Sequence, residues 1–184
     1  MAQMWMTHQA NHARFGIDKF GLLEGPPMRG AQTVVDAATH MFDVDCVAFV
    51  VFDDLSADAK LRISSDPLRL NQRFALEDSV CSSARYAGVT TAITDVREEF
   101  ETAPEADFLG IESMLLSPVF GPETTALAML VLMSDERRTW SDADCTGLEN
   151  LAHLISQELI LKASFETLHI MRRQQTPNRV QHLN

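Results

Sequence analysis

Residues 44–52, Val-Asp-Cys-Val-Ala-Phe-Val-Val-Phe, are apolar at almost every position and rich in β-branched side chains. Successive side chains of a strand point to opposite faces, so an almost unbroken apolar run fits a strand covered on both sides. Asp53, Asp54, Ser56, Ala57 and Asp58 make a turn after it, and Lys60-Leu61-Arg62-Ile63-Ser64 alternates like a half-solvated partner strand. The two segments predict a hairpin. Residues 112–120 and 125–133 read as two further strands, and Gly121-Pro122-Glu123 between them predicts a second hairpin.

Helical periodicity brackets these strands. Val34, Val35, Ala38, Met41 and Phe42 recur at helical spacing until Asp43, which predicts a helix over residues 31–42. A last helix begins near Trp140-Ser141-Asp142-Ala143-Asp144, where Ser141 can cap and the two aspartates favour the positive end of the helix dipole. It extends to about residue 173 and carries two apolar stripes. Leu148, Ala152, Ile155 and Leu159 form one, suited to cover a sheet. Leu151, Leu154, Leu161, Phe165 and Leu168 form the other, on a 3,4 rhythm interrupted by Glu158, suited to meet a partner in a homodimer.

The chain has 184 residues, 46% of them hydrophobic and 22% charged, which is enough for one soluble globular core. Gly25-Pro26-Pro27 cannot continue a helix, so residues 1–29 form a separate helical or linker segment. Residues 30–165 form the domain, and 166–184 are the helix end and a basic tail. Between residues 31 and 165 there are 23 acidic and 9 basic side chains, a poor match to nucleic acid or to anionic membranes, both of which attract Lys and Arg. Neither is expected as a partner. No signal peptide or membrane span is visible at the N-terminus or elsewhere, so the expected location is cytoplasmic. Cys46, Cys81 and Cys145 are widely spaced and show neither a CxxC pair nor zinc-ligand spacing. No metal is expected.

Several segments, taken in order, resemble the GAF domain family. Residues 78–88 (Asp-Ser-Val-Cys-Ser-Ser-Ala-Arg-Tyr-Ala-Gly) are similar to that family's N-capped short helix ending at a glycine. Thr91-Ala92-Ile93-Thr94-Asp95-Val96 is similar to its next strand, and Ile111-Glu112-Ser113-Met114-Leu115-Leu116-Ser117-Pro118-Val119 to the one after. Trp140-Ser141-Asp142 resembles the entry to the closing helix. The likeness covers about residues 30–162. It implies an α+β fold in three layers, a central antiparallel sheet with the terminal helices on one face and a loop-covered ligand cavity on the other. It also implies terminal helices that dimerise.

Within that frame, Phe100 and Phe108 are candidates for the apolar lid of a cavity, with Arg85, Tyr86 and Ser113 as polar contacts to a small molecule. Around them Asp95, Glu98, Glu99, Glu101, Glu105 and Asp107 read as a solvated acidic face. Cys81, in the first turn of a helix capped by Asp78 or Ser79, is a candidate redox thiol, and a packed core side chain otherwise. Family members that reduce methionine sulfoxide resemble one another in three pocket cysteines, of which this chain has one. The bilin-binding Cys-His pair and the cyclic-nucleotide motif Asn-Lys-x-Asp-Glu are missing too, so no cofactor is expected. His40, His153 and His169 stand apart from any triad pattern, and no catalytic assignment emerges. The expected function is non-catalytic sensing of an unidentified small molecule, relayed by a dimer to a separate signalling protein. The alternatives are an interaction module with a closed pocket and a thiol-based redox sensor or reductase at Cys81.

Overall fold

The computed structural model describes residues 29–52, 59–66, 75–76, 80–121 and 126–175. The leading segment, the turn after residue 52, the cap at Asp78 or Ser79, most of the turn after Gly121, and the tail beyond residue 175 lie outside the described residues.

Helix α1 (Arg29–Phe42) leads into β1 (Cys46–Phe52), paired antiparallel with β2 (Ala59–Ser64) as the first hairpin requires. β3 (Ala75–Leu76), α2 (Val80–Arg85), β4 (Thr91–Ile93), α3 (Val96–Glu99) and α4 (Pro104–Leu109) follow. The second hairpin joins β5 (Ser113–Phe120) to β6 (Ala126–Ser134), with Leu115 opposite Leu132, and α5 (Asp142–Gln175) closes the chain. The strands make one antiparallel sheet in the order β3-β2-β1-β6-β5-β4. Hairpin pairing is local, whereas the contact of β1 with β6, Phe49 opposite Leu130, joins the two hairpins across the chain.

Every residue of β1 is buried, as its composition requires. Alternation divides the sheet's side chains into two cores. Val47, Phe49, Val51, Leu115, Val119, Leu130 and Leu132 face α1 and α5. Cys46, Ala48, Val50, Phe52, Met114, Leu116, Met129, Val131 and Met133 face α2, α3, α4 and their connections. The molecule therefore has three layers, long helices, sheet and short helices.

On the first face α5 presents Leu148, Ala152, Ile155 and Leu159, the stripe expected to cover the sheet, all fully or nearly buried. Two glycines let α1 lie close against α5: a Cβ on Gly147 would press within 3.1 Å of the Phe42 ring, and one on Gly30 would occupy the place of the Glu158 carboxylate. Ser156 donates to the Ala152 carbonyl and accepts from the Phe120 N–H at 2.9 Å, which fastens α5 to the end of β5. The start of α5 is a reciprocal cap. Asp144 accepts from the Ser141 N–H and hydroxyl at 2.9 and 2.8 Å, while the Ser141 hydroxyl accepts from the Asp144 N–H at 3.2 Å. Those bonds, the backbone one foremost, lower the Asp144 pKa below the usual carboxylate range.

Candidate functional site

The short-helix face is built from pieces too small to hold themselves together. Helices of four to six residues fall well below the length that is stable alone, so side chains must tie them to the sheet and to each other. α2 does so with Val80, Cys81 and Ala84, which share one helical face and are buried. Beside them the Arg85 guanidinium stands over the Phe52 ring, 4.7 Å from its centroid, a cation–π contact at the end of β1.

α3 is held by Asp95. One carboxylate oxygen caps the helix, accepting from the N–H groups of Arg97 at 3.0 Å and Glu98 at 3.2 Å. The other pairs with Arg137 at 2.6 Å, and Arg137 also stands 3.7 Å from Glu98 and 3.8 Å from Glu112. Asp95 is only 6% exposed, so its charge would be costly without that partner. Arg97 joins α3 to α4, donating to Asp107 at 2.9 Å and to the Ala106 carbonyl at 3.1 Å. α4 starts at Pro104 and ends at Gly110, whose left-handed backbone (φ 68) suits glycine. Of its side chains Glu105 and Ala106 are buried, Glu105 completely.

A separate polar cleft of about 460 Å³ opens at one end of the sheet, lined by residues 43–45 and 134–138. Its groups serve the fold. Asp45 accepts from the Ser134 hydroxyl at 3.0 Å and the Asp135 N–H at 3.1 Å, and Arg138 donates to the carbonyls of Phe42 and Asp43. None of the expected ligand contacts lines it. Among the described residues no His, Cys, Asp or Glu side chains gather as a metal site, and no helix is long and apolar enough to cross a membrane.

With this geometry in hand, the GAF domain family model matches residues 29–159, most of the chain. The chain belongs to the GAF domain family. Among solved structures, this GAF domain is similar to the free methionine-R-sulfoxide reductase of Neisseria meningitidis, at 20% identity and a TM-score of 0.59, covering 86% of this chain and 93% of that one. It is similar to the GAF domain of the Acinetobacter phosphoenolpyruvate-protein phosphotransferase at 14% identity and a TM-score of 0.58, covering 85% and 95%. For the PixJ GAF domain of Thermosynechococcus elongatus the values are 16%, 0.54, 84% and 93%. At such identities the likeness shows the fold. No curated protein matches the sequence.

The expected contacts of the GAF domain are dispersed. Arg85 and the half-buried Phe100 belong to the short-helix layer. Tyr86 and Phe108 are 78% and 83% exposed. Ser113 is buried, but its hydroxyl donates to the Glu136 carbonyl at 2.8 Å, and it alternates with Met114 to the other side of the strand. Cys81 is wholly buried, which withholds its thiol from solvent oxidants. Burial, followed by the charges of Asp142 and Asp144, raises the thiol pKa of Cys145. His40, His153 and His169 lie exposed on α1 and α5.

One expectation needs correction. The acidic run is not uniformly a solvated face, because Asp95 and Glu105 are buried while Glu98, Glu99, Glu101 and Asp107 are exposed. The signal was present in Pro104, which favours the first turn of a helix and sets Glu105, Ala106 and Leu109 on one side of it. That same period turns Phe108 outward. Of the second stripe of α5, Leu151 is half-buried against the helix-side core, and Leu154, Leu161, Phe165 and Leu168 are 53–59% exposed.

Proposed function

We propose that this GAF domain is a non-catalytic regulatory domain that takes a small molecule into the short-helix side of its sheet, dimerises through α5 and acts on a separate protein chain. The observation that carries this reading is the difference in what covers the two faces. α1 and α5 cover one face with long apolar stripes, whereas the other is roofed by three short helices, of which α3 and α4 are tied down by Asp95–Arg137 and Arg97–Asp107. Such a roof can shift by exchanging a few ion pairs, with the sheet left intact. The meningococcal reductase was solved in complex with its substrate and the PixJ domain in its blue-light-absorbing form, so this scaffold serves different chemistry in different proteins. That diversity favours a ligand role over any one reaction.

Arg85 is the side chain best placed to choose the ligand. Its guanidinium, oriented by the Phe52 ring, suits a carboxylate or phosphate group. A thermal-shift screen of carboxylate- and phosphate-bearing metabolites tests this on the wild type and Arg85→Ala. A ligand at a hundred times its Kd stabilises by about 2.7 kcal/mol, several degrees in Tm, and the variant should lose that shift. No hit, together with a crystal structure in which side chains fill the short-helix layer, would contradict it. The exposed Tyr86, Val89 and Phe108 favour the second reading, an interaction module with a closed pocket, which predicts that outcome.

A further inference from the structure

α1 and α5 run antiparallel along one seam. The end of α1 meets the start of α5, with the Phe42 ring against Gly147, and its start meets the middle of α5, with Gly30 against the Glu158 carboxylate. Between these contacts Leu151 is half-buried in the helix-side core. On α5 the seam alternates by four and three through 147, 151, 154 and 158, and the same alternation runs on through 161, 165 and 168. Leu161, Phe165 and Leu168 therefore continue the seam that α1 occupies, past the place where α1 begins. They are 57–59% exposed. On the sheet side of the same helix, burial also continues. β5 ends at Phe120, whose N–H is bound at Ser156, yet Ala163 is 5% exposed and Ile170 half-buried.

The chain that enters α1 at Arg29 arrives from this end of α5. Gly25-Pro26-Pro27 prevents α1 from being prolonged backwards as one helix, so the segment before it takes a new direction. That segment holds Phe15, Ile17, Phe20, Leu22 and Leu23. From Leu161 to Leu168 the seam is about 10 Å long, which a stretch of about seven residues spans even at helical rise. A tether of only a few residues to Arg29 gives these side chains an effective concentration of about millimolar, which a second copy in dilute solution does not match.

We propose that residues 15–23 of the same chain dock on α5 over Leu161, Phe165 and Leu168, taking up the seam where α1 leaves it. This goes beyond the homodimer reading and limits it, because a second copy reaches those three side chains only by displacing the leading segment.

The rate at which Leu168→Cys reacts with a maleimide tests the cover in the full chain, in a Cys145→Ser background where the remaining native cysteines, Cys46 and Cys81, are buried. Glu149→Cys, exposed in the first half of α5, gives the uncovered rate. Leu168→Cys should react roughly tenfold more slowly than Glu149→Cys at every protein concentration. Adding Phe15→Ser and Phe20→Ser should restore the uncovered rate, while unlabelled Cys46 and Cys81 report that the fold is intact. Equal rates in the two single-cysteine chains overturn the proposal. Light scattering on the same samples gives the mass. Slow labelling that appears only in samples with the mass of two chains, or that survives the Phe15 and Phe20 substitutions, assigns the cover to a second copy; it overturns the docking of the leading segment and leaves the dimer standing. The mass of one chain at every concentration, with slow labelling that the two substitutions abolish, contradicts the dimer reading alone.

Discussion

The two faces of the sheet are built from the same strands and differ in what covers them. On one, α1 and α5 lay continuous apolar stripes across Phe49, Leu130 and Leu132, and the polar bonds there, such as Ser156 to Phe120, fasten a packing that is already extensive. On the other, α2, α3 and α4 contribute one to three buried side chains each, and the Asp95–Arg137 and Arg97–Asp107 pairs hold α3 and α4 in order. Hydrophobic burial is cooperative across a face, whereas an ion pair is local and exchangeable with water. The comparison therefore predicts that the short-helix face opens locally while the long-helix face opens only with the whole fold.

Three substitutions sharpen that contrast. Leu148→Ala removes a fully buried side chain between α5 and the sheet and should cost about 3 kcal/mol in denaturant unfolding, as large-to-small core changes do. Arg137→Ala leaves the Asp95 carboxylate without its ion-pair partner. Because Arg137 is itself 60% exposed, the global cost should be only about 1 kcal/mol, with faster amide exchange in residues 95–109 and none of that change in α5. If Arg137→Ala instead loosens both faces equally, the division between them fails. Asp144→Asn should cost about 0.5 kcal/mol at neutral pH by weakening the cap of α5. Its pH dependence has a definite sign. The folded pKa is lowered, so the cap's contribution is full above the ordinary carboxylate range and is lost as acid protonates Asp144. Acid titration of stability should be shallower in the variant.

The same asymmetry governs what could be read from the chain. Periodicity marked α1 to within two residues at its start, and both hairpins followed from turn chemistry between apolar runs. These elements are long, and their patterns repeat often enough to be recognised. The junction of β1 with β6 left no local trace, since it joins residues about 80 apart through backbone pairing alone. The short-helix face was harder still. A six-residue helix shows its period only once its start is fixed, here by Pro104, so the inward Glu105 and the outward Phe108 were obscured by a run whose charge suggested water on every side. Asp95 was concealed differently, because its partner Arg137 comes from beyond β6 and only the folded sheet brings them together. The exposed stripe of α5 was legible because its spacing is regular and depends on no other part of the chain.

Native-state amide exchange of the full chain tests the central claim most directly. The account predicts that α3 and α4 exchange by local opening, with protection roughly a hundredfold or more below that of β1, β5, β6 and the first half of α5, which should open only with global unfolding. Equal protection of the short helices and the central strands would contradict it.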